Sequence, residues 1–243
     1  DFGYEIDPVW EAGNKNIPGI YIEFKEPWLN PKGFEQIVYD VLANTQDMNI
    51  IEKPEPEDTP FYINNGTINV GNTNGKVILQ TFSLESLVRV AEVFQGKVPM
   101  CFLLWKGTGA TDLTYDDPLG YASFINLGVK YKAHFIGPCI AGAPNDYPEL
   151  DQPWQDYLIH RAKMKNHPYT FDTYDQMAKY FGQYNFGVAD GMFNPPYLDA
   201  LFTNHSDMSI NYMITHGWRK SPASQTLVDA REVLRKLGYL DNN

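Results

Sequence analysis

The sequence predicts an α/β protein in which a parallel β-sheet is covered by helices. Short runs of β-branched and aromatic residues alternate with amphipathic segments about six times along the chain, which is typical of strands joined by crossover helices. The run 98–105 is almost entirely apolar, as expected of a strand that is covered on both faces. A glycine-rich phosphate loop follows none of the predicted strands, so a nucleotide-binding sheet is not indicated.

The first predicted strand, residues 19–27, carries the most informative side chains. Side chains on a strand alternate between two faces, so Tyr21, Glu23 and Lys25 share one face and three apolar residues share the other. Burying a charge is costly unless it is paired or liganded, so an acid and a base on one face need a reason. A salt bridge at the strand end is one interpretation, and a functional pair is the other.

The remaining elements follow in order along the chain. Asn30-Pro31 supplies an N-cap followed by proline at the first helical position. Apolar residues then recur with helical spacing and predict one buried stripe, namely Phe34, Ile37, Val38 and Val41. Further strands are predicted at 76–82, 98–105, 133–138, 165–171 and 186–190. Further helices are predicted after Ser83, near 118–127, near 154–162, around 174–181 and around 227–237.

Residues 52–75 interrupt this alternation with prolines and many asparagines, and two short strand-like runs flank Asn64-Asn65-Gly66. That pattern predicts a surface hairpin inserted into an otherwise single domain over 1–243. A closed (β/α) barrel has eight strand–helix units in roughly 250 residues. The sequence therefore predicts a TIM (β/α)8-type barrel that lacks its first two units, with exposed sheet edges that favour homo-oligomers.

Composition narrows the classes of partner. The formal net charge is −11, so a nucleic-acid partner is not expected, because such partners need a basic surface. No apolar run approaches the roughly 20 residues that a membrane span requires, and no signal peptide is visible. Acidity is compatible with a phosphate ester, because carboxylates hold divalent cations that bind phosphate. Cys101 and Cys139 lie in apolar runs and are expected to be buried free thiols.

The strand Ile20-Tyr21-Ile22-Glu23-Phe24-Lys25 resembles the glutamate-and-lysine strand of the glycerophosphodiester phosphodiesterases, a TIM-barrel family. The similarity continues in the family's order over roughly residues 15–210. It includes Leu79-Gln80-Thr81-Phe82, Phe135-Ile136-Gly137-Pro138, His167-Pro168-Tyr169-Thr170-Phe171, and the segments 187–193 and 202–207. The strand ends at 135–138 and 167–171 are similar to the periplasmic-type branch, which implies a periplasmic or secreted protein.

The resemblance implies metal-dependent hydrolysis of small phosphodiesters, such as glycerophosphocholine, to glycerol phosphate and an alcohol. It implies that Glu23 ligates a divalent metal, Ca²⁺ or Mg²⁺, and that Lys25 acts in catalysis by contacting the phosphate. Gln80, Phe82, His167 and Tyr169 match strand-end positions and are predicted to bind substrate. For Phe82, packing in the core is an equally good interpretation, and for His167 and Tyr169 contact with substrate is no better than an even choice.

The departures from the family pattern matter as much as the matches. The family's H-R-G, E-N-T, E-x-D and H-D elements precede the glutamate–lysine strand and are absent from this sequence. The hypothesis is therefore that the chain corresponds to the C-terminal three-quarters of such an enzyme, without its two catalytic histidines and two of its metal carboxylates. This chain by itself is then expected to be inactive as a hydrolase and to bind metal poorly. His160-Arg161-Ala162 is not the H-R-G element, because it lies in a predicted helix.

Two other functional classes stay open. A barrel-derived module that binds ligands without catalysis is favoured by the absent elements and disfavoured by the retention of Glu23 with Lys25. A glycan hydrolase would need a second carboxylate about 5–9.5 Å from the first, and the sequence offers no clear partner for Glu23. Among the remaining candidates, His134 is expected to be a core histidine, and Asp190 is either a site residue or a structural acid.

Overall fold

The structure is a computed structural model, and it describes residues 20–44, 77–105, 115–184 and 198–216. The chain divides into two compact units, Asp1–His205 and Ser206–Asn243. The predicted hairpin at 52–75, the strand at 186–190 with Asp190, and the helix around 227–237 all lie outside the described residues.

Five parallel strands form one sheet in the first unit, which confirms the predicted α/β class. They are β1 Ile20–Glu23, β2 Val77–Thr81, β3 Met100–Leu104, β4 Phe135–Pro138 and β5 Lys165–Asn166. Their order in the sheet is their order in the sequence, and every neighbouring pair is parallel. This is the winding of a (β/α) barrel, although the described residues contain no pairing that closes the sheet on itself.

Helices follow the strands in regular alternation. They are α1 Phe34–Asn44, α2 Leu84–Phe94, α3 Pro118–Lys130, α4 Pro153–Arg161 and α5 Tyr174–Met177, which continues as a π-helix over Ala178–Gln183. The described part of the second unit contains α6, Ser206–Thr215. The predicted cap at Ser83 is confirmed, since its side chain accepts a hydrogen bond from the Ser86 amide. Asp117 caps α3 in the same way, immediately before Pro118.

The core has two layers, one on each face of the sheet. Alternate strand residues such as Phe24, Leu79 and Phe102 pack against the helices. The intervening residues face the inside of the curved sheet, where Cys101, Leu103 and Phe135 form a second cluster. All five residues of β3 are buried, as predicted for a strand covered on both faces.

The predicted core histidine and the two predicted buried thiols are confirmed. His134 is fully buried, and its Nδ1 accepts a hydrogen bond of 2.7 Å from the Met100 amide. Burial lowers the pKa of His134 to about 3, so the ring is neutral and structural. Cys101 and Cys139 are buried free cysteines.

The predicted buried stripe of α1 is wrong at two of its four positions. Ile37 and Val41 are more than half exposed, whereas Glu35 is buried at an ion pair with Arg89 of α2. The pair fixes the rotation of the helix, and the buried stripe starts at Glu35 and continues through Leu42. The predicted stripe counted only apolar residues, so it did not include a charged residue on the buried face of the helix.

The fifth strand is shorter than predicted, ending at Asn166 instead of Phe171. Pro168 has no backbone N–H and interrupts the ladder. The chain stays beside its neighbours, because the amides of His167 and Tyr169 still bond to carbonyls of β4. On its other side lies the segment 198–204, whose Phe202 amide bonds to the Pro168 carbonyl. That segment therefore occupies the position next to β5.

Candidate functional site

A pocket of about 270 Å³ opens at the carboxyl ends of β1, β2 and β3. Four of the predicted site residues lie together in its wall, namely Glu23, Gln80, Phe82 and Tyr169. The rest of the lining is Leu103, Thr170, Phe202, Thr203 and Asn204. Parallel strands end at one edge of a sheet, so residues far apart in sequence meet there, which is where barrel enzymes build their sites.

Glu23 and Gln80 are register partners on neighbouring strands. The Oε1 atoms of both side chains are buried and make no hydrogen bond within the described part of the chain. Burial raises the pKa of Glu23, and the nearby Lys25 only partly offsets this effect. Buried oxygens without donors are costly, so this pair of acceptors is suited to a bound cation or a ligand donor group.

Lys25, the predicted catalytic residue, lies just beyond the end of β1 and is not part of the pocket lining. Its Nζ is 3.6 Å from Glu23 Oε2, and its side chain is 70% exposed. An ion pair this exposed contributes little to stability, because solvent screens it. The Lys25 ammonium group can therefore leave Glu23 and bind an anionic ligand with little loss of stability.

Aromatic side chains form one wall of the pocket. Phe82 and Tyr169 meet edge to face, with ring centroids 5.7 Å apart. The Tyr169 hydroxyl donates a 3.0 Å hydrogen bond to the Leu104 carbonyl. Burial raises the pKa of Tyr169, so its hydroxyl stays neutral and fixed. This wall gives the pocket an apolar surface opposite its polar residues.

His167 lies beneath the pocket and not in its lining. Its ring stacks on Phe135 at 4.0 Å, and its Nδ1 is 3.1 Å from the Tyr21 hydroxyl. Only 8% of the residue is exposed, and burial lowers the pKa of His167 to about 4. The imidazole is therefore neutral at pH 7 and supports the floor of the site. A direct contact with substrate stays a prediction.

Thr203 and Asn204 are lining residues that the sequence analysis did not select. They lie in the segment 198–204, where the Asn204 amide and side chain both donate to the Asp172 carboxylate, at 2.9 and 3.0 Å. The resemblance at 202–207 was the available signal, but it did not show that this segment adjoins β5 and reaches β1. Phe202 packs edge to face on Tyr21 at 4.8 Å.

A buried polar network anchors the same segment near the start of β5. Asp199 accepts hydrogen bonds from the Lys165 side chain at 2.6 Å and from the Asn166 amide at 2.8 Å. His160 lies between Asp199, at 2.8 Å, and Asp156, at 3.0 Å. Burial alone would lower the pKa of His160, but the two carboxylates outweigh it and raise the pKa to about 9. His160 is thus a structural cation, and its predicted position in a helix is confirmed by α4.

The side chains of this site fit a metal ion only in part. The described residues contain no group of three or more His, Cys, Asp or Glu side chains that could hold a metal ion together. Among the described lining residues, the buried side-chain oxygens without a hydrogen-bond partner are Oε1 of Glu23 and Oε1 of Gln80. Hard cations such as Ca²⁺ and Mg²⁺ bind carboxylate and amide oxygens, so these two residues fit part of a coordination shell.

Comparisons with known proteins assign no family to the chain. No family model matches the sequence, and neither does any curated protein. Among the described helices, none is both long enough and apolar enough to cross a membrane.

Proposed function

We propose that the chain is a metal-dependent phosphodiester hydrolase of the glycerophosphodiester phosphodiesterase type. The observation that supports this proposal best is the pair of buried, unpartnered oxygens on Glu23 and Gln80 in a pocket, with Lys25 paired to Glu23 at 3.6 Å. A carboxylate and an amide oxygen for a cation, beside a lysine for phosphate, form the combination that a phosphodiester needs.

In this proposal Glu23 and Gln80 hold the cation, Ca²⁺ or Mg²⁺, from adjacent strands. When bound, the cation neutralises phosphate charge and activates the attacking oxygen. Lys25 turns from Glu23 to a phosphate oxygen, which its exposure allows. Phe82 and Tyr169 exclude water from one side and pack on an apolar part of the substrate.

Hydrolysis adds the oxygen of water to phosphorus and breaks the bond between phosphorus and the alcohol oxygen. The products are glycerol phosphate and the alcohol, which takes up a proton. This reaction needs one group to accept the proton of water and another to protonate the alcohol. The described lining contains Glu23 as its single titratable carboxylate and no histidine.

That last observation favours a second candidate function, a module that binds phosphodiesters without cleaving them. His167, the histidine predicted for the site, is buried beneath the pocket and neutral. Metal binding by Glu23 and phosphate binding by Lys25 are common to both candidates. Turnover separates them, because only the enzyme requires an acid and a base.

The experiment combines a hydrolysis assay with calorimetric binding of glycerophosphocholine, each in Ca²⁺, in Mg²⁺ and in EDTA. Metal-dependent release of choline that Glu23→Gln abolishes supports the hydrolase. The matched control is Glu26→Gln, an exposed acid three residues along the chain, which should retain activity. Binding without turnover in either metal supports the binding module. Absence of both binding and turnover overturns the two candidates together.

A further inference from the structure

The large apolar side chains that the first unit exposes are distributed unevenly between its two ends. Six of them, between 37% and 78% exposed, lie in the connections that lead from a strand to the next helix, or in the first turn of that helix. They are Trp28, Leu29, Trp105, Leu119, Tyr147 and Tyr174. In a parallel sheet all such connections leave the carboxyl edge, so these residues share one face of the molecule, here called the carboxyl face.

The opposite face has a different character. The described connections that lead from a helix to the next strand are 95–99, 131–134 and 162–164. None of them carries a large apolar side chain that is exposed, and each carries a lysine, respectively Lys97, Lys132 and Lys163. Among the described residues of the first unit, the exposed aromatic side chains thus lie on the carboxyl face, whereas the aliphatic Ile20, Ile37 and Val41 are exposed at the start of β1 and on the flank of α1.

The pocket opens on the carboxyl face, and its aromatic wall continues outward into the exposed residues. Tyr169 in the lining contacts Tyr147 with ring centroids 6.0 Å apart, and Tyr147 contacts Trp105 at 6.2 Å. Exposed apolar patches of this kind mark binding surfaces for proteins or membranes. Tryptophan and tyrosine in particular favour the boundary between water and lipid, because each has an apolar body and a polar tip.

The charges on this face decide which lipid it fits. Among the described residues, its exposed acids are Glu26, Asp116, Asp146 and Asp175, against the exposed lysines Lys25 and Lys32. The whole chain has a formal net charge of −11. An anionic membrane would repel this face, whereas a zwitterionic surface presents outward ammonium groups that match the acids.

We propose that the carboxyl face docks onto a zwitterionic lipid surface, with Trp28 and Leu29 inserted at the level of the headgroups. These two adjacent residues are 72% and 69% exposed at the tip of the connection between β1 and α1. Docking brings the mouth of the pocket against headgroup phosphodiesters. Docking itself does not depend on the proposed hydrolysis. The inference that docking supplies lipid phosphodiesters to the pocket as substrates does rest on the proposed function.

The test is flotation of the 243-residue chain with phosphatidylcholine vesicles in EDTA, where no metal-dependent turnover occurs. We expect the chain to float with these vesicles and to bind phosphatidylglycerol vesicles less tightly. Trp28→Ser with Leu29→Ser should weaken partitioning by about tenfold or more, since two large apolar side chains are removed from the interface. The matched control is Ile37→Ser with Val41→Ser, which removes two apolar residues, 57% and 51% exposed, from the flank of α1 and should not change partitioning.

A second readout begins with the unmodified chain, whose tryptophan fluorescence should be quenched by phosphatidylcholine brominated on its acyl chains. The conservative variant Trp28→Phe should then lose part of that quenching. Three results overturn the proposal: no binding to neutral vesicles, tighter binding to anionic ones, or equal losses in the two serine double variants. A further result would also overturn the proposal: the chain does not bind vesicles but forms concentration-dependent dimers, and only Trp28→Ser with Leu29→Ser abolishes them. The carboxyl face would then be a contact with a second copy of the chain.

Different results would overturn the proposed hydrolysis and the proposed docking. Glu23→Gln should leave flotation unchanged, and Trp28→Ser with Leu29→Ser should leave hydrolysis of soluble glycerophosphocholine unchanged. Flotation without hydrolysis would remove the proposed enzyme and keep the docking face. Hydrolysis without flotation would do the reverse.

Discussion

Tyr21 on β1 and His167 just after β5, the first and last described strands, meet across the inside of the sheet, with 3.1 Å between the hydroxyl oxygen and Nδ1. Four steps between neighbouring strands would separate β1 and β5 by about 19 Å in a flat sheet. Two side chains cannot easily span that distance, so the sheet must be strongly curved, as in a barrel. The pair also sets the floor of the pocket, because Phe202 in the lining packs on Tyr21.

Removing the hydroxyl should therefore destabilise the curved sheet. Tyr21→Phe leaves the buried Nδ1 of His167 without this partner, and we expect the free energy of unfolding to fall by about 1–3 kcal/mol. Urea denaturation followed by far-UV circular dichroism measures the change. The control is Tyr39→Phe, which loses only an exposed hydrogen bond from Lys97 and should cost far less. Equal effects in the two variants would show that the Tyr21–His167 contact is not a structural tie.

The charge on His160 should make stability depend on alkaline pH. The pKa of His160 is about 9 in the folded chain, against an ordinary value of 6.5, so folding favours the protonated ring. The stabilisation is complete below about pH 6.5 and is lost as the pH rises through about 9. The difference between these two pKa values corresponds to roughly 3–3.5 kcal/mol.

His160→Gln should remove this decline between pH 6.5 and 9, as measured by urea denaturation at a series of pH values. His205→Gln changes an exposed histidine and should keep the wild-type profile. An unchanged slope in His160→Gln would mean that another group titrates in this range.

The buried ion pair between α1 and α2 should be sensitive to loss of the arginine. Arg89 Nε lies 3.0 Å from Glu35 Oε1, and its other nitrogens donate to the carbonyls of Pro27 and Pro31. Arg89→Met leaves Glu35, which is 2% exposed, as an unpaired buried charge. We expect a loss of about 3–5 kcal/mol in thermal or urea unfolding.

The double variant Arg89→Met with Glu35→Met provides the control for this pair. It removes both charges, so it should recover much of the stability lost in Arg89→Met alone. If the single and double variants unfold at the same urea concentration, the buried charge is not the cause of the loss.

Gly137 in β4 should tolerate no side chain. A Cβ built there lies 2.6 Å from Leu103 Cδ2, 2.9 Å from Cys101 Sγ and 3.1 Å from the His167 carbonyl oxygen. Gly137→Ala should therefore destabilise the chain by about 1–3 kcal/mol through overpacking. The control Gly128→Ala meets the ends of two flexible side chains at 3.2 Å, so its cost should be smaller in the same unfolding assay.

Local sequence was sufficient for much of the fold. Strand and helix alternation, the Ser83 cap and the fully covered β3 depend on neighbouring residues and on periodicity, and the structure confirms each of them. The faces of β1 also follow from alternation, since Glu23 reaches the pocket while Phe24 packs against the helices. The meeting of Glu23 with Gln80 follows from the rule that parallel strands end at one edge.

Tertiary contacts decided the rest. The rotation of α1 was set by Glu35 and Arg89, which are far apart in sequence, so apolar spacing assigned Ile37 and Val41 to the wrong face. The sequence around His160 shows only a residue of a helix. Its contact with Asp199, which raises its pKa, forms only in the folded chain. Thr203 and Asn204 enter the pocket because the segment 198–204 lies beside β5 through long-range backbone hydrogen bonds. The sequence determined which elements form, because propensity and periodicity are local; only the folded chain decided which charges are buried together, because burial depends on residues that the sequence keeps apart.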